Sequence, residues 1–350
     1  MGTIRQIFVM MLLSLLSIQA AHVQARSWRV NNDETRKAHF TDINAAMASK
    51  EVVDGDTLYM DPGCLLTSTQ TISKTVTIIG CGYYTEQVAQ AEATIRARIN
   101  IKAARTKIES MVLTNGGNNS ISIYISADHV TIERCLLNDF IRWDGQGRYF
   151  TLRQCMTTHC IFGAGQSNMK STGCTIENCI IVATYTEPMI KDLQGVVIRN
   201  NYIRNAQKGT YYNLSNLSDA IITNNIILHV PNPNVLLTNI SGQFTNNVLS
   251  CSESTYSYVS PTDNRCLGAA NEADIVCMTG SNDLNYQLKD DSPAKGFAMD
   301  GGDCGPFGGR YPYVPSGFPM GLPRVESSSV SKRSQDGQVS VTQTVSIQKQ

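Results

Sequence analysis

The sequence predicts an all-β chain wound as a solenoid, a parallel β-helix with three strands per coil. Two observations carry this. Between Ile108 and Phe244, apolar residues recur every 20 to 24 positions, at Ile108, Ile132, Leu152, Ile176, Ile198, Ile222 and Phe244. Such a period, with apolar residues at set phases, marks supersecondary units that bury their edges only by stacking. Three positions further on stands a second column, Met111, Cys135, Cys155, Cys179, Asn201, Asn225 and Asn247. Two beyond it comes a third, Leu113, Leu137, Thr157, Ile181, Ile203, Ile227 and Leu249. Residues between these columns are mostly polar.

Each coil can be justified in turn. Val130, Ile132 and Cys135, or Val196, Ile198 and Asn201, begin with a period of two, which is a strand with one face inward. The phase then slips by one at Arg134-Cys135, Asn178-Cys179, Asn200-Asn201, Asn224-Asn225 and Asn246-Asn247. Asn tolerates the left-handed backbone of a sharp bend. An inward Asn must have its amide satisfied, and the same residue one coil away, about 4.8 Å along the axis, can satisfy it. The slip therefore predicts a structural ladder of Cys135, Cys155, Cys179, Asn201, Asn225 and Asn247. A third strand precedes the bend in later coils, through Ile190 and Leu193, Leu214 and Leu217, and Leu237 and Ile240. The pairs Lys191-Asp192, Ser215-Asn216 and Thr238-Asn239 between these apolar residues form an outward strip. Helical solenoids need helix-forming windows that these coils lack. Leucine-rich repeats need a leucine consensus, whereas these coils favour Ile, Val, Thr and Asn.

Residues 1–25 read as a secretory signal, with Arg5, an apolar core from Ile7 to Ile18 and a small-residue cleavage site at Val23-Gln24-Ala25. The apolar run is too short for a membrane span, and no other long apolar stretch follows. The expectation is an exported chain, in the periplasm, on the cell surface or outside the cell. Of 29 basic residues Arg5 falls in the leader, which leaves 28 against 29 acidic ones. That balance argues against a nucleic acid as partner. Residues 26–323 read as one β-helix domain. At its start Phe40, Ile43, Ala46 and Met47 have helical spacing, with Thr41 as cap, and predict a helix over the open end of the core. Thr57 to Met60 is expected as the first strand, and residues 83–98 as an outward insertion, helical through Glu86 to Ala93. From Cys251 to Pro323 the chain is loop-rich. Residues 324–350 read as a flexible tail with one lone strand between Val339 and Ile347. Of 11 cysteines, Cys135, Cys155 and Cys179 fall in the ladder and read as small buried residues. Cys251, Cys266, Cys277 and Cys304 are the disulfide candidates, with no pairing assigned.

The phrases Phe40-Thr41-Asp42-Ile43-Asn44-Ala45-Ala46 and Asp54-Gly55-Asp56-Thr57-Leu58-Tyr59 resemble the start of right-handed β-helix proteins of the pectate-lyase-like superfamily. Val197-Ile198-Arg199-Asn200-Asn201-Tyr202-Ile203 resembles their repeat. Ser292-Pro293-Ala294-Lys295-Gly296 and Asp303-Cys304-Gly305-Pro306-Phe307-Gly308 resemble their closing segment. Over roughly residues 40 to 325 the chain resembles secreted, largely uncharacterised members from Bacteroidetes-type bacteria. The resemblance implies an all-β, right-handed parallel β-helix solenoid with an N-terminal capping helix. It says little about activity, because one solenoid hosts many chemistries.

Pectate lyases of that superfamily carry an acidic Ca²⁺-binding cluster beside an Arg or Lys base, and polygalacturonases carry Asn-Thr-Asp, Asp-Asp, Gly-His-Gly and Arg-Ile-Lys. This sequence holds neither set. Asp290-Asp291 lies in the closing segment, and Arg98-Ile99-Asn100 matches the last motif only in half. Hydrolysis needs carboxylates that converge across the scissile bond, and the outward acids of the coils are few: Asp139, Asp144, Glu187 and Asp192. Asp128-His129 and His159 sit at turns without a second His at ligand spacing. Asp300-Gly301-Gly302-Asp303 reads as a closing turn rather than a Ca²⁺ loop. No cofactor, metal or catalytic residue is assigned. The densest polar-aromatic patch is Arg142, Trp143 and Asp144, with Arg148 beside it and Lys191 and Asp192 two coils on. An aromatic ring can stack on a sugar, and Arg or Lys can bind uronate carboxylates. These five residues, Arg142, Trp143, Asp144, Lys191 and Asp192, are the candidate substrate-binding site. The reading is a non-catalytic exported protein that contacts polysaccharide through an outward strand face. Its rivals are a divergent polysaccharide lyase or glycoside hydrolase, and a purely structural surface protein. Convergent carboxylates with a base in a groove would favour the enzyme.

Overall fold

The computed structural model describes residues 25–84, 91–116, 121–143, 147–159, 161–162, 171–183, 187–205, 212–229, 237–251, 263–268, 271–279, 282–330 and 341–347. Its coils form a right-handed parallel β-helix with three faces. The first face runs from Ser27–Val30 through Thr57–Met60, Thr77–Ile79, Lys107–Glu109, Thr131–Glu133, Thr151–Arg153 and Thr175–Glu177 to Val197–Arg199, in parallel register. The second runs from Gln70–Ile72 through Ile99–Ile101, Ile121–Ile125, Phe140–Trp143 and Ile161–Phe162 to Ile190–Gln194. In the last coils Leu214–Thr223 and Leu237–Thr245 run through both faces, so the two join. The third face stacks ten short strands from Leu65–Leu66 to Arg265–Cys266.

The apolar columns point inward as the repeat requires. Ile108, Ile132, Leu152, Ile176, Ile198 and Ile222 are fully buried and pair rung on rung. Each such side chain contributes roughly 1.5–3 kcal/mol through burial. The bend follows at Ser110, Arg134, Gln154, Asn178, Asn200, Asn224 and Asn246, whose φ values lie between 52° and 62°. Only then does the ladder column turn inward. Asn201 N–H and Nδ2 both donate to Asn225 Oδ1, at 2.9 and 3.0 Å. Asn225 N–H and Nδ2 donate in the same way to Asn247 Oδ1, both at 3.0 Å. Asn264 extends the ladder by one rung, accepting from Asn247 N–H at 3.0 Å and Asn247 Nδ2 at 3.1 Å. At the other end Cys179 N–H donates to Asn201 Oδ1 at 2.9 Å. Cys135, Cys155 and Cys179 are fully buried, and the Cys135 N–H donates to Cys155 Sγ at 3.4 Å.

Four features differ from the sequence expectation. The first strand is Ser27–Val30, which pairs with Thr57–Met60. Trp28 Nε1 donates to the buried Asp56 carboxylate at 2.8 Å and ties the added strand down. The helix spans Ile43–Ala48 and is capped by Asp42, whose side chain accepts from Ala45 N–H at 2.7 Å. Thr41 is not the cap, and Phe40 bridges to Val30 instead of joining the helix. The helix buries Ile43, Ala46 and Met47 in the core shared with the first coil. Val341–Ile347 is not a lone strand, since it pairs antiparallel with Pro323–Val330. Residues 1–24 and 85–90, with the expected leader and most of the expected insertion helix, lie outside the described residues, and the expected insertion over 83–98 stops short of Thr94–Arg96, a strand of the third face with Ile95 buried.

The fourth difference is the closing segment, which forms a strap rather than a loose end. It leaves the last coil and runs back along the bends. Phe297 C=O accepts from Asn246 Nδ2 at 3.1 Å, and Met299 N–H donates to Asn224 Oδ1 at 2.9 Å. Pro306 and Gly308 carbonyls accept from Asn178 Nδ2 at 2.9 and 2.7 Å. Ser316 C=O accepts from Tyr83 N–H at 2.8 Å near the start of the solenoid. The strap covers a second apolar column on the outside of the third face, Val112, Leu136, Met156, Ile180, Tyr202, Ile226 and Val248. Ile275, Ala294, Ala298, Cys304 and Tyr313 pack on it. Asp300 and Asp303 serve turns here, accepting from Gly302 and Gly296 N–H groups. Of the disulfide candidates, Cys251 and Cys266 have their thiols 3.8 Å apart.

Candidate functional site

Strand alternation on the second face sends every other residue outward. The register places Thr71, Asn100, Tyr124, Arg142, Phe162, Lys191, Ser215 and Thr238 in one column. Successive rungs are about 4.8 Å apart. Arg142 and Lys191 therefore stand two rungs apart with Phe162 between them, about 10 Å along the axis. The Arg98 guanidinium lies over the Tyr124 ring, 4.8 Å from its centroid, so a cation and an aromatic ring share the adjoining rung. Asn100 Nδ2 reaches Thr71 Oγ1 at 3.4 Å one rung before. This is a polar ladder that carries the Tyr124 ring, with a repeat of about 4.8 Å.

The predicted site residues divide as follows. Arg142 and Lys191 are half-buried and share the column. Lys191 Nζ is paired with Glu187 at 2.6 Å, with both side chains partly in water, where such pairs are weak. Asp192 follows Lys191 in a left-handed bend, φ 62°, and accepts from Asn216 Nδ2 at 2.6 Å. Asn216 and Asn239 repeat that bend at φ 53° and 51°. Trp143 ends its strand in register with Ile125. Asp144 lies outside the described residues. Arg148 belongs to the turn before the first face, where it pairs with Asp128 at 3.0 Å, and does not join the column. Asp139 is not an outward acid. It is fully buried and accepts from Thr114 Oγ1 at 2.8 Å and Asn115 N–H at 2.5 Å, which holds the neighbouring coil's turn.

Convergent carboxylates do occur, on the first face, and sequence reasoning missed them. Glu109, Glu133, Arg153, Glu177 and Arg199 follow the inward column by one position in five successive rungs. That alternation of charge was the available signal. Glu109, Glu133 and Glu177 are almost wholly buried. Lys107 bridges Glu109 and Glu133, the latter at 2.7 Å. Arg134 spans the same two acids at 3.1 and 2.7 Å. Glu177 is held between Arg153 at 2.7 Å and Arg199 at 2.6 Å. Burial pushes Glu133 up, but the Arg134 charge, the Lys107 hydrogen bond and further basic charge outweigh it, and its pKa falls below the ordinary value. Burial would lower Lys107, yet the two carboxylates hold it above the ordinary range. A general acid must carry a proton near the working pH, and a general base must lose one. Glu133 and Lys107 are each held in the charged form by their partners, as members of one ion-paired array. Among the described residues no group of three or more His, Cys, Asp or Glu side chains is placed to hold a metal ion.

Neither a protein-family model nor a curated protein matches the chain. Among solved structures it is similar to the crystal structure of pectate lyase Pel9A, with a TM-score of 0.52 and 13% identity, over 83% of this chain and 98% of that one. At that identity the likeness establishes the fold, a pectate-lyase-like parallel β-helix.

Proposed function

We propose that this is an exported β-helix protein that contacts polysaccharide through the outward column of the second face and does not cleave it. The observation that carries the reading is the register that puts Tyr124, Arg142 and Lys191 in one column, which sets two cations about 10 Å apart on a strand ladder. Cations at that spacing suit alternate carboxylates of an acidic glycan. Further support comes from the first face, where the convergent acids are neutralised by Lys107, Arg134, Arg153 and Arg199. Export rests on the leader pattern of residues 1–25, and among the described residues no helix is long and apolar enough to cross a membrane. Each contact is individually modest, so a single chain binds weakly. The test is binding of the mature protein to polygalacturonate, with Arg142→Ala/Lys191→Ala beside it. The expected result is sharply weakened binding in the double variant with little change in melting temperature. No glycan binding by the unaltered chain would leave a structural surface protein. Unsaturated products or new reducing ends would make it a divergent lyase or hydrolase.

A further inference from the structure

We propose that the cleft between the first face and the strap is a second binding site, one that takes a small organic carboxylate. The cleft measures about 640 Å³, within the usual size of small-molecule sites. Its floor is the ion-paired ladder of Lys107, Glu109, Glu133 and Arg134, and its far wall is the strap from Arg310 to Val314. Four cations, Lys107, Arg134, Arg153 and Arg310, line it against two carboxylates, Glu109 and Glu133, so its formal charge is +2.

That excess is not spread evenly. Lys107 and Arg134 are taken up by Glu109 and Glu133, and Arg153 Nε by Glu177. Arg310 makes no ion pair among the described residues. It is exposed at the rim, with its guanidinium 5.3 Å from the Tyr311 ring centroid. Arg153 lies over the same ring at 4.1 Å. Tyr311 thus positions two guanidinium groups at one mouth, and planar guanidinium forks suit a carboxylate better than a point charge does. Deeper in, Arg134 Nε–H is buried and has no hydrogen-bond partner among the described residues. A buried donor without an acceptor is costly, and a ligand oxygen or its bridging water would satisfy it.

The remaining lining selects the ligand class. Pro312, Val314 and Met320 present apolar surface beside the cations. A bare inorganic anion has nothing to place there. A small organic carboxylate has carbon to set against that wall and a carboxylate for Arg310, and galacturonate is a probe of that class. This site lies on a different face from the Arg142 column and does not depend on it.

The experiment titrates the full mature chain with galacturonate, galactose and inorganic phosphate by calorimetry or NMR. Galacturonate should bind at least tenfold more tightly than either of the others. Arg310→Ala should weaken it at least fivefold, and Arg310→Lys should recover only part of the loss. Tyr311→Ala should weaken it comparably, and Tyr311→Phe should not. The exposed position of Arg310 predicts unchanged melting temperatures for its variants. Arg142→Ala/Lys191→Ala should bind the monosaccharide normally, so failure of the polysaccharide reading would be seen separately. Equal binding of galactose, or phosphate binding as tightly as galacturonate, would overturn the proposal. So would unchanged galacturonate binding by Arg310→Ala, or its loss in the Arg142 and Lys191 double variant.

Discussion

Replacing Asn225 by Ala tests the ladder where its hydrogen bonds are most complete. The side chain is fully buried. Its Nδ2 donates to the carbonyls of Ile198 at 2.8 Å and Thr223 at 3.0 Å, as well as to Asn247 Oδ1. Its Oδ1 accepts both Asn201 donors. After truncation Asn201 N–H and Ile198 C=O lose partners inside a dry core. Each unsatisfied buried group costs roughly 1–3 kcal/mol, and local relaxation trims the sum, so about 3 kcal/mol is expected. At about 2 °C per kcal/mol, the low end suited to a chain of this size, that is a fall of about 6 °C in melting temperature. Asn225→Cys should cost about half as much, because a thiol can still accept from the rung before, as Cys155 Sγ does from Cys135 N–H. Denaturant unfolding and calorimetry measure both variants. A loss under about 0.5 kcal/mol for Asn225→Ala, the range of ordinary surface changes, would refute the reasoning.

Cys135 and Cys155 are buried, and burial pushes both thiols well above their ordinary pKa. With Cys179 they should alkylate slowly at pH 8 until denaturant is added, and rapid native labelling of all three would count against the buried stack. Glu133 has a lowered folded pKa, so its stabilising contribution is present above the ordinary glutamate value of about 4.3 and is lost as pH falls through the folded value. Glu133→Gln should cost about 3 kcal/mol at pH 7, with the gap to wild type closing as pH falls through the folded value, and a pH-independent gap would contradict the ion-pair account. Gly317 sits at φ 58°, and a Cβ there would collide with Arg134 O and Tyr83 Cε1. Gly317→Ala should loosen the strap at a cost of about 2 kcal/mol and expose residues 297–320 to limited proteolysis, whereas an unchanged digest would show the strap is not held there.

The coils were legible because burial repeats. Ile132, Ile176 and Ile198 must each face the axis, so period, strand direction and bend follow from the column and its one-residue slip. Asn264 escaped because it follows Asn247 by only 17 residues, outside the period. The strap escaped for a different reason. Its partners are left-handed bend residues such as Asn178 and Asn224, already explained by the turn, and nothing local to Pro306 or Met299 reveals the pairing. The apolar column of Val112, Leu136, Met156 and Ile180 stood in the repeat, and its outward phase should have announced a cover. Arg142 and Lys191 were brought together by coil spacing alone. The cleft was not legible, since it joins Gln154 to Pro312 across 158 residues of chain. Asp139 read as outward because a turn residue usually is, but Thr114 and Asn115 supply the donors that let it be buried.

The most direct measurement incubates the mature protein with polygalacturonate, with and without Ca²⁺, and records bound glycan, unsaturated ends and reducing ends in one experiment. The account predicts weak binding that Arg142→Ala/Lys191→Ala sharply lowers, and no product under either condition. Product formation by the pure chain, or full binding by the double variant, would contradict it.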